Sequence, residues 1–107
     1  MREIKFRVWN SKKEIMQSKS ALAFNKNGVV LYGYEQLMQY TGLKDINGVE
    51  IYEGDYLLDG HSGRWAEVKF IKGAFVVEFD NEIQDLYDWT CECIIGNIYQ
   101  NRKLIND

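Results

Sequence analysis

Apolar and polar residues alternate over short segments of this chain, and turn-forming residues separate the segments at regular intervals. The segments that read as strands are 21–24, 29–32, 39–44, 49–52, 65–71 and 74–80, and most are rich in β-branched and aromatic residues. Asn27-Gly28 and Asn47-Gly48 lie between such segments. Alternation with a period of two is typical of half-buried strands, and Asn-Gly favours hairpin turns with positive φ. The pattern therefore predicts a mainly β protein.

One hairpin can be predicted residue by residue, because residues 65–80 fold back on themselves at a two-residue turn, Lys72-Gly73. The facing pairs on one side are then apolar: Phe70 with Phe75, Val68 with Val77, and Ala66 with Phe79. On the other side Glu67 faces Glu78 and Lys69 faces Val76. This division is what a half-buried antiparallel pair requires, and a shift of one residue would destroy it.

Helical patterns are short. Residues 34–38 could form one turn, and residues 80–89 could form a short helix with Asp80 or Asn81 as N-cap. Glu53-Gly54-Asp55 is typical of the sharp entry into an SH3-like barrel, whose strands would be 56–59, 65–71, 74–80 and 93–98. We predict one domain over residues 1–107, with N-terminal strands at about 4–52 packed on a small antiparallel barrel at about 53–101, and little helix.

Composition limits the partners. The 107 residues include 13 basic and 16 acidic side chains, so the net charge of −3 provides no long-range field that would attract nucleic acid. No apolar run reaches the length of a membrane span or of a signal-peptide core, which predicts a cytoplasmic protein that does not enter a membrane. Because the chain has no proline, charges, bulges or a partner must protect its strand edges.

The residues that could support metal or acid–base chemistry are few. Cys91 and Cys93 are two positions apart, so a disulfide between them would be strained and we expect free thiols. A metal site would need two further ligands beside the single histidine, His61, and we predict no metal and no cofactor. We expect that this protein is not an enzyme. A hydrolytic activity would need a deep polar pocket that holds His61 with an acidic residue.

The carboxylates around the second Asn-Gly turn have a simpler explanation than catalysis. Asp45 begins a turn, Asp55 follows a glycine, and Glu50 alternates with apolar neighbours. Turn formation and solvation account for these positions and for Glu53.

Two binding functions remain open, and both would use the aromatic and basic residues near the turns. Small barrels often bind nucleic acid through stacked aromatic rings and cations, although the sequence pI of 5.2 and the interleaved Glu67 and Glu78 oppose this reading. Alternatively, the 14% aromatic content exceeds the need of one small core, which predicts a protein-binding or self-assembling surface. The candidate binding residues for either function are Tyr40, Lys44, Tyr52, Arg64, Trp65, Lys69 and Lys72.

The segment 37–55, LMQYTGLKDINGVEIYEGD, resembles the core of the YopX-like proteins of phages and prophages of low-GC Gram-positive bacteria. The resemblance continues in IKFRVW at 4–9 and in IGNIYQN at 95–101, and the departures are Ile46, Val49 and Gln100. It implies a β fold of the SH3-like class and a phage or prophage accessory protein that binds a host or phage macromolecule or another copy of itself. The resemblance implies no particular biochemical activity, because none is established for the family. The positions that it marks as structural are Gly42, Gly48, Gly54, Asp55, Gly96 and Asn97.

Overall fold

The computed structural model describes residues 4–20 and 35–101, which form nine strands and one single-turn 3₁₀ helix. The strands are β1 (Lys5–Asn10), β2 (Ile15–Ser20), β3 (Glu35–Lys44), β4 (Glu50–Tyr52), β5 (Asp55–Leu58), β6 (Trp65–Ile71), β7 (Ala74–Phe79), β8 (Glu82–Asp85) and β9 (Ile94–Asn97). The 3₁₀ helix, η1, spans Leu86–Trp89. No helix among the described residues is long and apolar enough to cross a membrane.

The strands form two antiparallel sheets. Sheet 1 has the order β2-β1-β3-β4, and sheet 2 has the order β8-β7-β6-β5-β9. Sheet 2 curls into a half barrel, which confirms the prediction of a mainly β fold of the small-barrel class with very little helix. The chain passes from one sheet to the other through Glu53 and Gly54.

The β6–β7 hairpin has the predicted register. Val68 pairs with Val77, Phe70 with Phe75, and Glu67 with Glu78. Lys72 and Gly73 both have positive φ, as a tight two-residue hairpin turn requires. The alternation of apolar and charged positions therefore determined this register.

The hairpin around Asn47-Gly48 also forms, but with an irregular pairing. Tyr40 pairs with Tyr52 and Lys44 pairs with Glu50, and the register shifts between these two pairs, in the stretch that contains Gly42 (φ +87°). The Asp45 carboxylate stabilises the turn, because its Oδ1 accepts the backbone N–H groups of residues 47 and 49 at 2.9 Å. The Asn27-Gly28 turn and the segments 21–24 and 29–32 lie outside the described residues.

Both helical predictions were wrong in detail. Residues 35–38 belong to β3 and are extended, since they complete sheet 1 beside β1. Asp80 and Asn81 have φ of +57° and +65° and form the turn between β7 and β8, so neither can begin a right-handed helix. The N-cap is Asp85 instead, and its carboxylate accepts the Tyr87 backbone N–H.

The buried apolar side chains form two clusters. The cluster inside the half barrel contains Ile51, Leu57, Ala66, Val68, Val77, Leu86 and Trp89. The second cluster lies on sheet 1 and contains Trp9, Met38, Tyr40 and Tyr52. Neighbouring residues of β4 contribute to different clusters, because successive side chains of a strand point to opposite faces. The short strand β4 therefore connects the two cores.

Candidate functional site

An ion pair between Arg7 of β1 and Asp55 of β5 joins the two sheets. The Arg7 Nη2 donates to Asp55 Oδ1, and the Tyr52 backbone N–H donates to Asp55 Oδ2 at 2.7 Å. Asp55 is almost completely buried. The position that the resemblance marked as structural thus anchors the strand that opens the half barrel.

Burial dominates the electrostatics of this pair. It raises the pKa of the Asp55 carboxyl, and the Arg7 guanidinium opposes part of that effect. The Arg7 Cζ lies 4.6 Å from the centroid of the Tyr52 ring, which adds a cation–π contact. The Arg7 Nε is buried and has no hydrogen-bond partner among the described residues. The pair is therefore a structural joint with little access to solvent.

Two predicted binding residues, Tyr40 and Tyr52, are buried beside this joint. Their ring centroids are 5.5 Å apart, and the Lys5 Nζ lies 5.6 Å from the Tyr40 centroid. Lys5 also pairs with Glu50 at 2.6 Å. The two rings were predicted to offer a surface for bases or partner side chains. They instead pack across the β3–β4 pair and contribute to the core of sheet 1.

A pocket of about 230 Å³ lies where the two sheets meet, and we call it the junction pocket. Its lining residues are Leu37, Met38, Glu53, Gly54, Glu67, Val68, Lys69, Phe70, Ile71, Ile98 and Tyr99. Gly54 fixes its floor, because its N–H donates to the Val68 carbonyl at 2.8 Å and its own carbonyl accepts the Ile98 N–H at 2.9 Å.

Gly54 lies at a position where the backbone conformation strongly favours glycine over other residues. Its φ is +90°, and a Cβ there would lie 3.1 Å from Met38 Sδ and 3.3 Å from Ile98 Cγ1. Both the conformation and the close approach therefore favour glycine. This explains physically why the Glu-Gly-Asp segment marks the entry into the half barrel.

Phe70 lies at the mouth of the junction pocket and is 47% exposed. It belongs to the same face of β6 as the buried residues Ala66 and Val68. Its ring packs on Phe75, with 4.8 Å between the centroids. The alternation of residues predicted Phe70 on the core face, and the missed signal was its place next to the turn, where the half barrel no longer covers it.

The remaining predicted binding residues are divided among different places. Arg64 makes two hydrogen bonds with Asp80, at 2.7 and 2.8 Å, and Lys69 pairs with Glu78 at 2.5 Å. Trp65 packs on Tyr56 with 5.6 Å between ring centroids. The two other candidates, Lys44 and Lys72, are exposed at the end of β3 and in the β6–β7 turn.

Gly96 and Asn97 have a local structural role at the end of β9. A Cβ at Gly96 would lie 2.3 Å from Asn101 Oδ1. The Asn97 Oδ1 accepts the backbone N–H groups of Tyr99 and Gln100 at 3.0 and 2.9 Å. This arrangement closes the turn that brings Tyr99 to the junction pocket.

The side chains examined for metal and catalytic chemistry are scattered. Cys91 is exposed and Cys93 is half-buried, and both are free thiols. His61 lies in the exposed loop between β5 and β6, where its backbone N–H donates to Asp59. No cluster of three or more histidine, cysteine or carboxylate side chains with metal-binding geometry occurs in the described part of the chain.

Comparison with known proteins identifies the family. The chain is similar over nearly its whole length to protein EF1440 from Enterococcus faecalis, whose crystal structure covers 98% of this chain and 99% of its own with 22% sequence identity and a TM-score of 0.69. The crystal structure of the Bacillus subtilis protein yopX is also similar, with 22% identity, a TM-score of 0.62 and coverage of 94% and 96%. No curated protein matches.

At this level of identity the two structures show a shared fold. The family model described as YopX protein matches residues 27–106, which is well over half of the chain and includes the segment 37–55 that first suggested the resemblance. This protein therefore belongs to the YopX family.

Proposed function

We propose that this protein is a phage or prophage accessory module that binds another protein in the host cytoplasm, and that the junction pocket with Phe70 is its binding site. One observation carries this proposal. Phe70 is a large aromatic side chain on the face that otherwise forms the core, yet almost half of its surface is exposed beside a pocket that both apolar and charged residues line. Exposed aromatic residues next to a preformed pocket are typical of interface hot spots.

The size of the pocket favours a side chain of a partner over a free small molecule. Its volume of about 230 Å³ is below the range of about 300–1,000 Å³ that is usual for small-molecule sites. Leu37, Ile71 and Ile98 contribute apolar side chains to its lining, and Glu53 and Lys69 contribute charged ones. An apolar anchor surrounded by polar groups is the usual organisation of a protein interface.

The nucleic-acid alternative has less support from the same contacts. Arg64 and Lys69, two of its four predicted cations, already pair with Asp80 and Glu78. A phosphate would have to compete with these carboxylates and with the nearby Glu67. Binding of nucleic acid depends mainly on cations that are available to phosphates, so this surface suits it poorly.

Selection from a displayed library of random twelve-residue peptides tests the proposal. We expect the selected peptides to share an apolar anchor and to lose at least ten-fold in affinity when Phe70→Ser is introduced. The matched control is Tyr87→Ser, which removes an even more exposed aromatic ring from η1. Affinity should be unchanged in that variant, and thermal unfolding of both variants should confirm that they remain folded.

Peptides that bind the Phe70→Ser variant as tightly as the original protein would contradict the proposal, as would a failure to select any peptide. If the partner is a second copy of the chain, light scattering will show a concentration-dependent dimer that the Phe70→Ser substitution dissociates.

A further inference from the structure

The two edges of the half-barrel sheet differ in how they are covered. At the β9 edge, the Ile94 N–H donates to Asp45 Oδ2 at 2.9 Å, and the Ile46 N–H donates to the Glu92 carbonyl at 3.1 Å. The turn between β3 and β4 thus covers this edge. At the other edge, no strand of the described residues pairs with the outer side of β8. An open edge offers backbone donors and acceptors to an additional strand.

The chain segment that contains β8 carries charges of one sign, although Arg64 and Lys69 pair with Asp80 and Glu78, two of its carboxylates. Residues 73–101 contain no lysine or arginine, whereas they contain the six acidic residues Glu78, Asp80, Glu82, Asp85, Asp88 and Glu92. Within β8 itself Glu82 and Asp85 are exposed, and Ile83 between them is 53% exposed. This edge therefore combines a backbone that no other described strand pairs with, an exposed apolar side chain and exposed carboxylates.

We propose that the outer edge of β8 binds an extended segment of a partner protein in which basic and apolar side chains alternate. The segment would add to sheet 2 as a strand beyond β8 through backbone hydrogen bonds. Glu82 and Ile83 point to opposite faces of the sheet, because they are adjacent in one strand. Basic side chains of the segment would lie on the face of Glu82, and apolar ones on the face of Ile83.

Charge complementarity selects this occupant over a second copy of the chain. Two copies that paired through β8 would bring the exposed Glu82 and Asp85 carboxylates of one copy close to those of the other. Like charges that approach each other across a strand pair destabilise it. The phosphates of a nucleic acid would be repelled by the same carboxylates. A basic segment of a different protein gains from the exposed Glu82 carboxylate.

Labelled synthetic peptides test this proposal by fluorescence anisotropy. We expect an eight-residue peptide of alternating lysine and valine to bind at least ten-fold more tightly than its glutamate–valine counterpart, with an affinity that falls as salt is added. Replacing a central valine of the lysine peptide by proline removes a backbone donor and should abolish binding if a strand is added. Equal binding of the proline peptide would overturn the proposal.

A charge reversal on the protein provides the second arm. Glu82→Lys should weaken binding of the lysine peptide at least ten-fold and should strengthen binding of the glutamate peptide. The matched control is Glu14→Lys, which makes the same change of charge at an exposed position between β1 and β2. Glu14→Lys should leave both affinities within two-fold. An equal effect of the two substitutions would show that only the net charge of the protein matters for binding, and this result would overturn the proposal.

The β8 edge and the junction pocket can be tested separately. Phe70→Ser should leave binding of the lysine peptide unchanged, since the peptide requires no contact with the pocket. Loss of peptide binding in Phe70→Ser, with the fold intact, would contradict the assignment to the β8 edge. Loss of binding in Glu82→Lys alone supports this assignment whatever the outcome at the pocket.

Discussion

Two Arg–Asp pairs in this protein have the same components in opposite environments. Arg7 pairs with Asp55 and lies over the Tyr52 ring, while Arg64 pairs with Asp80 and lies over the Phe79 ring at 5.1 Å. The side chains of the first pair are 15% and 1% exposed, and those of the second are 56% and 55% exposed. The first pair joins the two sheets, whereas the second connects the ends of β6 and β7.

Burial, and not the number of contacts, decides what such a pair does. The exposed pair has the better geometry, with two parallel hydrogen bonds, and Asp80 raises the pKa of Arg64 through them. Water can nevertheless replace each of its contacts at little cost. In the buried pair, removal of one partner leaves the other without compensation, and this makes the joint between the sheets sensitive to substitution.

The largest predicted effect comes from removing the two aspartates separately. Asp55→Ala should lower the free energy of unfolding by about 3–5 kcal/mol, because it leaves the Arg7 charge and the Tyr52 N–H buried without a partner. Asp80→Ala should have a much smaller effect, since Arg64 can turn to water. Urea denaturation measures both. Asp55→Asn keeps an acceptor for the Tyr52 N–H and should lose less than Asp55→Ala, and equal losses at positions 55 and 80 would refute the role given to burial.

A second prediction concerns the glycine that precedes a member of each pair. Gly54 precedes Asp55 with φ of +90°, and Gly63 precedes Arg64 with φ of +72°. Alanine at either position should introduce backbone strain of about 1–3 kcal/mol. Only Gly54→Ala would also press a Cβ against Met38 and Ile98, which should add about 1–3 kcal/mol. Thermal or urea unfolding of the two variants separates these contributions. An equal loss of stability in Gly63→Ala and Gly54→Ala would contradict the contribution of the close approach.

The smallest effect is predicted for Glu67, whose burial is intermediate between the two pairs. It faces Glu78 across β6 and β7, and burial, with a further contribution from Glu78, raises the pKa of its carboxyl. Glu67→Gln should therefore stabilise the protein by about 0.2–1 kcal/mol at pH 7, because two like charges no longer oppose each other.

The pH dependence of this gain has a defined sign. A carboxyl whose pKa is higher in the folded than in the unfolded protein stabilises the fold below its ordinary pKa of 4.5, and it loses that contribution as the pH rises through the folded value. The advantage of Glu67→Gln over the original protein should thus shrink as the pH falls from 7 towards 4. Urea denaturation at both values checks this, and a constant advantage would contradict the raised pKa.

The parts of the fold that depend on neighbouring residues could be predicted from the sequence. The β6–β7 hairpin followed from alternation and from a turn with suitable residues, and the structure has that register. The turn at residues 80 and 81 was missed, because Asp and Asn favour both helix N-caps and left-handed turns. Pairing of β8 with β7 requires the turn, and the local sequence gives little indication that β8 is a strand.

The candidate site depended on contacts between distant residues, and it was harder to predict. No local pattern indicates that Arg7 pairs with Asp55, because the register of two sheets must be known first. Tyr40 and Tyr52 were chosen as surface aromatics, yet they are paired neighbours across β3 and β4 and are buried together. Phe70 was correctly placed on the core face, but its exposure depends on where the curvature of the half barrel ends.

The distance along the chain between Arg7 and Asp55 also affects how the protein is made. The two residues are 48 positions apart. At a synthesis rate of about 5–20 residues per second, about 2–10 s pass between the addition of Arg7 and the addition of Asp55 to the chain. A guanidinium is costly to bury without a partner, so we expect sheet 1 to be completed on a nascent chain only after β5 has been synthesised. The pair thereby makes completion of the N-terminal sheet during translation depend on the first strand of the half barrel.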